Sequence, residues 1–387
     1  MKIPARAASL RRRCTLLHMA GKTSLYATQL RWELTLRNRA YARGRAHVES
    51  YGSAPVIVYA PECGVPMDIG GPQEVICTSW GGERSSSVGW EAGRHGNFFD
   101  AAYAAILARP DWMRRFDKVH AQAARSLPKP QLDPTRRWRE LDSSMSSDAL
   151  LMNIFCTPGV AESTAVRNLL GIDASAEPVP GADPVFGWKA RVPLANGRFD
   201  RTEVDMRFGS LLVEAKLTES DFQSRSAAIV ESYRDFDEVF DRGRLPRAEI
   251  ATTRWMQASE FPENASQEFE SVVADPALFT PVESTFRSPG EGGYASYQLI
   301  RNVLAAHVSA SSFCVMHDAR RPDLREAWFE VMAAVKSSVL RVRLKVLTWQ
   351  ELSAVLPEAL QKFLDRKYGI VAPGKTPSPI DEADLLL

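Results

Sequence analysis

Glu203-Val-Asp205-Met-Arg-Phe-Gly-Ser-Leu-Leu-Val-Glu214-Ala-Lys216 is the stretch on which the fold turns. Two runs rich in apolar residues flank Gly209-Ser210, whose composition suits a tight turn, so the stretch reads as two antiparallel strands. Residues two apart on a strand share a face, so Glu214 and Lys216 project together while Val213 and Ala215 enter the opposite layer. Across the turn, Asp205 approaches Glu214 on the neighbouring strand, with Cβ atoms roughly 5 Å apart in direct register. Two carboxylates and one ammonium then share one patch. Hard oxygen ligands for Mg²⁺ and a cation beside an attacking water are what metal-dependent phosphodiester hydrolysis requires.

The spacing alone is weak: Asp365-Arg-Lys367 repeats it in a stretch that reads as a solvated helix. Context strengthens it, because Glu214-Ala-Lys216 is the only Glu-x-Lys in the chain and follows three apolar strand residues. Burying an acid-acid-lysine cluster for structure alone costs more than it returns. An exposed cross-strand salt bridge on a half-buried sheet is the plainer alternative and stays open at this point.

Working outward, Val185 to Leu194 alternates as a strand, Asn196-Gly197 makes a two-residue hairpin turn, and Thr202 to Phe208 returns. Upstream, Ser143 to Ser147 offers N-caps for a helix through Phe155, and Val160 to Leu170, carrying Glu162, forms a second helix closed by Gly171. Downstream, 221–240, 265–274 and 294–308 read as helices, followed by strand 312–317, helix 324–337, strand 339–347 and helix 350–366. Strands alternating with helices predict an α/β core whose last strands are parallel. Before residue 140, 22–50 and 97–124 read mainly helical, 54–59 as a strand and 60–97 as a Gly-rich loop. Prolines at 128, 130 and 134 mark a linker over 126–139. The expected organisation is a basic, mostly helical region 1–139, an α/β domain 140–371 and a disordered tail 372–387.

Charge divides at the same place. The chain of 387 residues has a net charge of +1, yet residues 1–139 carry +11 and the remainder −10. A basic N-terminal half is compatible with contacts to a phosphate backbone; the plainer alternatives are a solubilising basic tail or a start mis-called upstream of Met19. Five scattered cysteines give neither a disulfide framework nor a CxxC knuckle, and six histidines form no metal pair, so no zinc site is expected. With 45% hydrophobic and 25% charged residues and no long apolar window, coiled coil, wholesale disorder and a membrane span are excluded, and a cytoplasmic location is expected. The basic Leu10 to Leu17 start does not read as a signal peptide, whereas a transit peptide stays open. Gly21-Lys22-Thr23 lacks the upstream glycine of a phosphate loop.

The order helix, three-stranded meander, helix, strand, with Asp205 and Glu214-x-Lys216 on the second and third strands, resembles the PD-(D/E)XK nuclease superfamily. The wider pattern, Ser146-Ser-Asp-Ala-Leu-Leu-Met-Asn-Ile-Phe155, then Glu214-Ala-Lys-Leu-Thr-Glu219, then Tyr297-Gln-Leu-Ile-Arg-Asn302, is similar to a poorly characterised bacterial branch of it. The resemblance covers residues 140–370, with Val204 standing where the motif has proline. It implies a restriction-endonuclease-like mixed sheet flanked by helices. It also implies Mg²⁺ or Mn²⁺ held by Asp205, Glu214 and the Ala215 carbonyl, with Lys216 orienting or activating water. Glu162 matches a helical acid that serves some members as an extra ligand, or is a solvated carboxylate in a first turn. Gln298 matches a glutamine that touches the site, or caps its helix, and Arg301 meets phosphate or forms a surface ion pair. The activity implied is that of an endonuclease on nucleic acid, with DNA the expected form and a homodimer or a defence-system protein as partner. The alternative is a nuclease-fold module without activity that binds nucleic acid or a protein.

Overall fold

The computed structural model describes residues 25–43, 47–50, 56–59, 75–80, 83–88, 95, 97–118, 140–142, 145–172, 183–201, 203–249 and 292–380. Expectations on residues 1–24, on 126–139 and on the helix 265–274 lie outside the described residues. The elements are α1 Leu25–Arg43, β1 His47–Ser50, β2 Val56–Tyr59, β3 Val75–Trp80, β4 Glu83–Val88, α2 Asp100–Leu107, α3 Pro110–Met113, α4 Ser147–Phe155 and α5 Thr164–Leu170. There follow β5 Val185–Lys189, β6 Val192–Pro193, β7 Phe199–Asp200, β8 Glu203–Phe208, β9 Leu211–Ala215, β10 Arg225–Ser226, α6 Ala227–Val230, α7 Phe236–Val239 and β11 Arg247–Ala248. After these come β12 Gly293–Tyr294, α8 Tyr297–Val308, β13 Ser312–His317, α9 Pro322–Ala334, α10 Ser338–Arg341, β14 Leu344–Thr348, α11 Trp349–Ser353 and α12 Glu358–Tyr368.

The principal sheet has the order β14-β13-β9-β8-β5. β13 runs parallel to both β14 and β9, while β9, β8 and β5 form the antiparallel meander. Central β9 is buried along its whole length, Glu214 included, as suits a strand covered on both faces. On one face Met206, Phe208, Val213, Ala215 and Met316 pack against α1, α4, α5 and α12. On the other, Val204, Leu212, Phe313 and Val315 pack against α8 and α9. The result is a mixed α/β sheet flanked by helices.

Several expectations need correction, among them the strand over 339–347, which opens as helix α10 before β14 begins at Leu344. The stretch 185–194 breaks after β5, and β6 and β7 pair as a separate hairpin around Asn196-Gly197. The stretch 221–240 is not one helix: Gln223 has φ +61 with its amide taken by Asp221, and β10 gives its backbone to β12 instead. The stretch 60–97 is not all loop: β3 and β4 within it complete an antiparallel sheet of order β1-β2-β3-β4. Ser378, in the stretch read as a disordered tail, donates to Asp365 and accepts from Arg37.

Residues before 139 share cores with those after it. Leu30 and Leu34 of α1 lie in the cluster that holds Leu360 and Leu364, and Phe98, Ile106, Trp112 and Phe116 enclose Ala149 and Met152 of α4. Lys367 is buried rather than solvated; it donates to Asn38 on α1, and burial lowers its pKa to about 7.

Candidate active site

β8 and β9 are in the register Met206 to Val213 and Phe208 to Leu211, and continuing it sets Asp205 opposite Glu214. Asp205 Oδ2 accepts from the Ala215 amide at 2.8 Å, tying one carboxylate to the backbone between Glu214 and Lys216. Glu214 is 1% exposed, and both its oxygens are engaged. Oε1 accepts from Lys216 Nζ at 2.7 Å and Oε2 from Asn302 Nδ2 at 2.7 Å. Asn302 Oδ1 accepts from Arg301 Nε and Nη2, which fixes the orientation of the amide and turns its donors toward Glu214. Arg301 Nη2 also donates to the Glu203 carbonyl at 2.9 Å.

Lys216 is anchored by its backbone, its amide donating to Met316 O and its carbonyl accepting from Trp349 Nε1. Its ammonium lies 5.6 Å over the Phe222 ring. The loop beyond it is clamped by buried Arg321, which donates to the carbonyls of Leu217, Glu219 and Ser220. That loop in turn caps α8, whose first amides, those of Tyr297 and Gln298, donate to Gln223 O and Phe222 O.

α4 supplies a further acid. Ser146 caps the helix by accepting from the Ala149 amide, which puts Ser147 and Asp148 in the first turn. Ser147 Oγ donates to Glu219 Oε1, and Asp148 is buried between Arg115 Nη2 at 2.7 Å and Lys118 Nζ at 3.1 Å. Arg115 also reaches Glu203 Oε2 at 3.1 Å. Room for its guanidinium comes from Gly187, which has φ +63 and whose Cβ would collide with Arg115 Nη1 and lie 2.8 Å from Glu203 Oε2. Gly187 stands opposite Asp205, where the pairing of β5 with β8 skips one position. On either side the strands change face: Met206 packs in one cluster and Val204 in the other.

The electrostatics follow from this crowding. Burial, then Glu214 and Asp148, push the Asp205 carboxyl up to about 8. Burial likewise raises Glu140, to about 7, with Asp148 and Glu219 adding to it. Asp148 goes the other way, because Arg115 and Lys118 override its burial and hold it below the usual carboxylate range. Burial opposes the charge on Lys216, but Glu214, Glu219 and Asp205 outweigh it and keep the ammonium above its ordinary value.

Of the residues expected at the site, Asp205, Glu214, Ala215 and Lys216 lie together. Glu162 is exposed at the lip of a shallow pocket with Arg109, Trp112, Cys156 and Asp183, and joins none of the contacts above. Gln298 is half-buried in the first turn of α8, one turn before Asn302. Among the described residues Arg301 forms no surface ion pair; it is 4% exposed. Sequence reasoning missed Asn302, Asp148, Arg115, Lys118 and Gly187.

Residues 62–369 match the family described as Restriction Endonuclease associating with ARP. The chain belongs to that family. No curated protein and no solved structure matches it. A restriction-endonuclease-like family carries nuclease activity and implies a nucleic-acid substrate, which accords with the mixed sheet and its flanking helices. Among the described residues no helix is long and apolar enough to cross a membrane.

Among the described residues no three His, Cys, Asp or Glu side chains converge into a metal cage. The donors at hand are two carboxylates, and that set fits Mg²⁺, which keeps several waters and uses one or two carboxylates with the phosphates of a substrate. The raised Asp205 is a second point of fit, since crowded carboxylates are what a divalent cation relieves.

Proposed function

We propose that the chain hydrolyses phosphodiester bonds of nucleic acid, with DNA the expected form, at Asp205, Glu214 and Lys216. Asp205, Glu214 and the Ala215 carbonyl would hold Mg²⁺ or Mn²⁺. Bound there, the cation would polarise the scissile phosphate and favour deprotonation of the attacking water. The observation that carries the reading is the buried Lys216 ammonium, 2.7 Å from Glu214 and one residue beyond the amide that holds Asp205. An ammonium kept charged by three carboxylates donates hydrogen bonds rather than accepting a proton. Lys216 therefore orients the nucleophile and offsets the charge that builds on the phosphate. Glu214 holds that ammonium in place, and Asn302, locked by Arg301, holds Glu214. The description of the family names an association with ARP, which supports a partner beyond the nucleic acid.

The test is cleavage of plasmid and linear DNA in Mg²⁺ or Mn²⁺. Lys216→Ala is expected to lose at least about 100-fold in rate, the scale for removing one charge-stabilising donor. Undiminished cleavage by that variant would overturn the mechanism.

A further inference from the structure

Four cations line the hairpin that grows from the strand opposite Asp205. Lys189 ends β5, Arg191 follows it, Arg198 precedes β7 and Arg201 follows it; all four are exposed. Among the described residues none of them has an acid partner, although exposed arginines on the neighbouring segment do. Arg234 is paired with Asp235, Arg242 with Glu231 and Asp237, and Arg244 with Asp241. The acid on the hairpin, Asp200, is taken by the Tyr233 hydroxyl, which in turn meets the Tyr297 hydroxyl on α8. Arg191 lies 4.6 Å over Phe199, which is 45% exposed. Four charges without an acid partner among the described residues repel one another, so their place in a half of the chain carrying −10 calls for a ligand.

Their position says which. Lys189 pairs in register with Glu203, two residues from the level of Asp205. At roughly 3.3 Å per residue, Lys189 lies about 7 Å along the strand from that level, and Arg191, two residues past the end of β5, at most about 7 Å beyond it. One strand of duplex carries a charge about every 3.4 Å of axis, so this reach spans about two to four phosphates. The bond from Asp200 through Tyr233 to Tyr297 ties the hairpin to α8, the helix that brings Asn302 to Glu214.

We propose that the hairpin of Lys189, Arg191, Arg198 and Arg201 is a binding site for the phosphodiester backbone, gripping the substrate strand a few nucleotides from the bond to be cut. It rests on the nuclease reading above. The test measures binding of the full chain to labelled DNA and RNA of one sequence, duplex and single-stranded, without divalent metal and across a range of salt concentrations. For K189A/R191A/R198A/R201A, loss of four contacts makes the slope of log K against log salt shallower by about 3.6 on duplex and about 2.8 on single strands. R191K/R198K/R201K, which keeps the charges, is expected to retain the wild-type slope, and a slope lost in this variant as well would overturn the proposal. R325A/R341A/R366A/K375A removes four exposed charges elsewhere and is also expected to leave the slope unchanged. A hairpin variant within about one unit of wild type, or an equal fall in the distant variant, would overturn the proposal. Lys216→Ala separates the two readings: intact binding without cleavage supports both, and intact cleavage sinks the nuclease mechanism while the hairpin slopes still decide the grip. The DNA and RNA arms show which nucleic acid supplies the phosphates.

Discussion

Gly187→Ala should damage the site without replacing any of its side chains. Gly187 has φ +63, so an alanine there bears the left-handed strain of about 1–2 kcal/mol. Its Cβ would also displace Arg115 from Asp148, a pair in which both side chains are 7% exposed. Breaking a buried pair costs about 3–5 kcal/mol, less where a second cation such as Lys118 remains, so the single substitution should cost about 3–5 kcal/mol in all. In an Arg115→Ala background there is no guanidinium to strike, and Gly187→Ala should cost only the backbone strain, about 1–2 kcal/mol. Urea unfolding of the four proteins, read from midpoints at constant m, closes the cycle, with a coupling of about 2 kcal/mol or more. Costs that add within about 0.5 kcal/mol would show that Gly187 does not make room for Arg115.

Asn302→Leu should destabilise the protein by about 3 kcal/mol in urea, because a buried carboxylate and a buried guanidinium each lose charge-assisted bonds; a loss below about 0.5 kcal/mol would refute the lock on Glu214. Mn²⁺ should raise the melting temperature of wild type and not of Asp205→Asn, with a gain of about 2.7 kcal/mol at a hundred times the dissociation constant. Since Asp205 must lose a proton that it holds up to about pH 8, Mn²⁺ affinity should rise about tenfold per unit from pH 6 to 8 and then level off; a flat profile would remove Asp205 from the metal site. Without metal, the raised Asp205 stabilises the fold below its ordinary pKa of 3.8 and loses that contribution as pH rises through about 8. Wild type minus Asp205→Asn, followed by urea unfolding, should therefore fall over that window, and a difference that rises would contradict the crowding.

The meander and its carboxylates were legible because they are local: strand alternation and a Gly-Ser turn bring Asp205 to Glu214 within ten residues of chain. The helical contributions were not. Glu162 and Asp148 are both acids near helix starts, and spacing does not say which helix faces the sheet. A signal did exist, since Asp148 opens Ala-Leu-Leu-Met-Asn-Ile-Phe, a run buried on every side, where an acid without a cation would be intolerable. Gln298 and Asn302 are four apart on one face of α8, so the pattern found the face and missed the turn. Arg115 is 33 residues from Asp148 in the chain, and nothing in its basic neighbourhood marks it as buried. The expected boundary near residue 139 followed charge, and packing does not follow charge. Arg109 and Arg115, from the basic half, meet Asp183, Asp148 and Glu203 in the acidic half.

That pairing also bears on where a polyanion is held. The described cations of residues 97–118 are largely spent on acids, so the charge asymmetry of the chain is in part an internal bond between its halves rather than a surface for phosphate. Within the site, the same cations neutralise Asp148, and Lys216 and Asn302 hold both oxygens of Glu214. For Asp205 the donor is a main-chain amide, which satisfies a hydrogen bond but brings no net charge. Asp205, beside Glu214, is therefore the carboxyl of the site held without a cation's hydrogen bond and kept protonated by its crowding, and an added cation gains most there by taking the place of that proton.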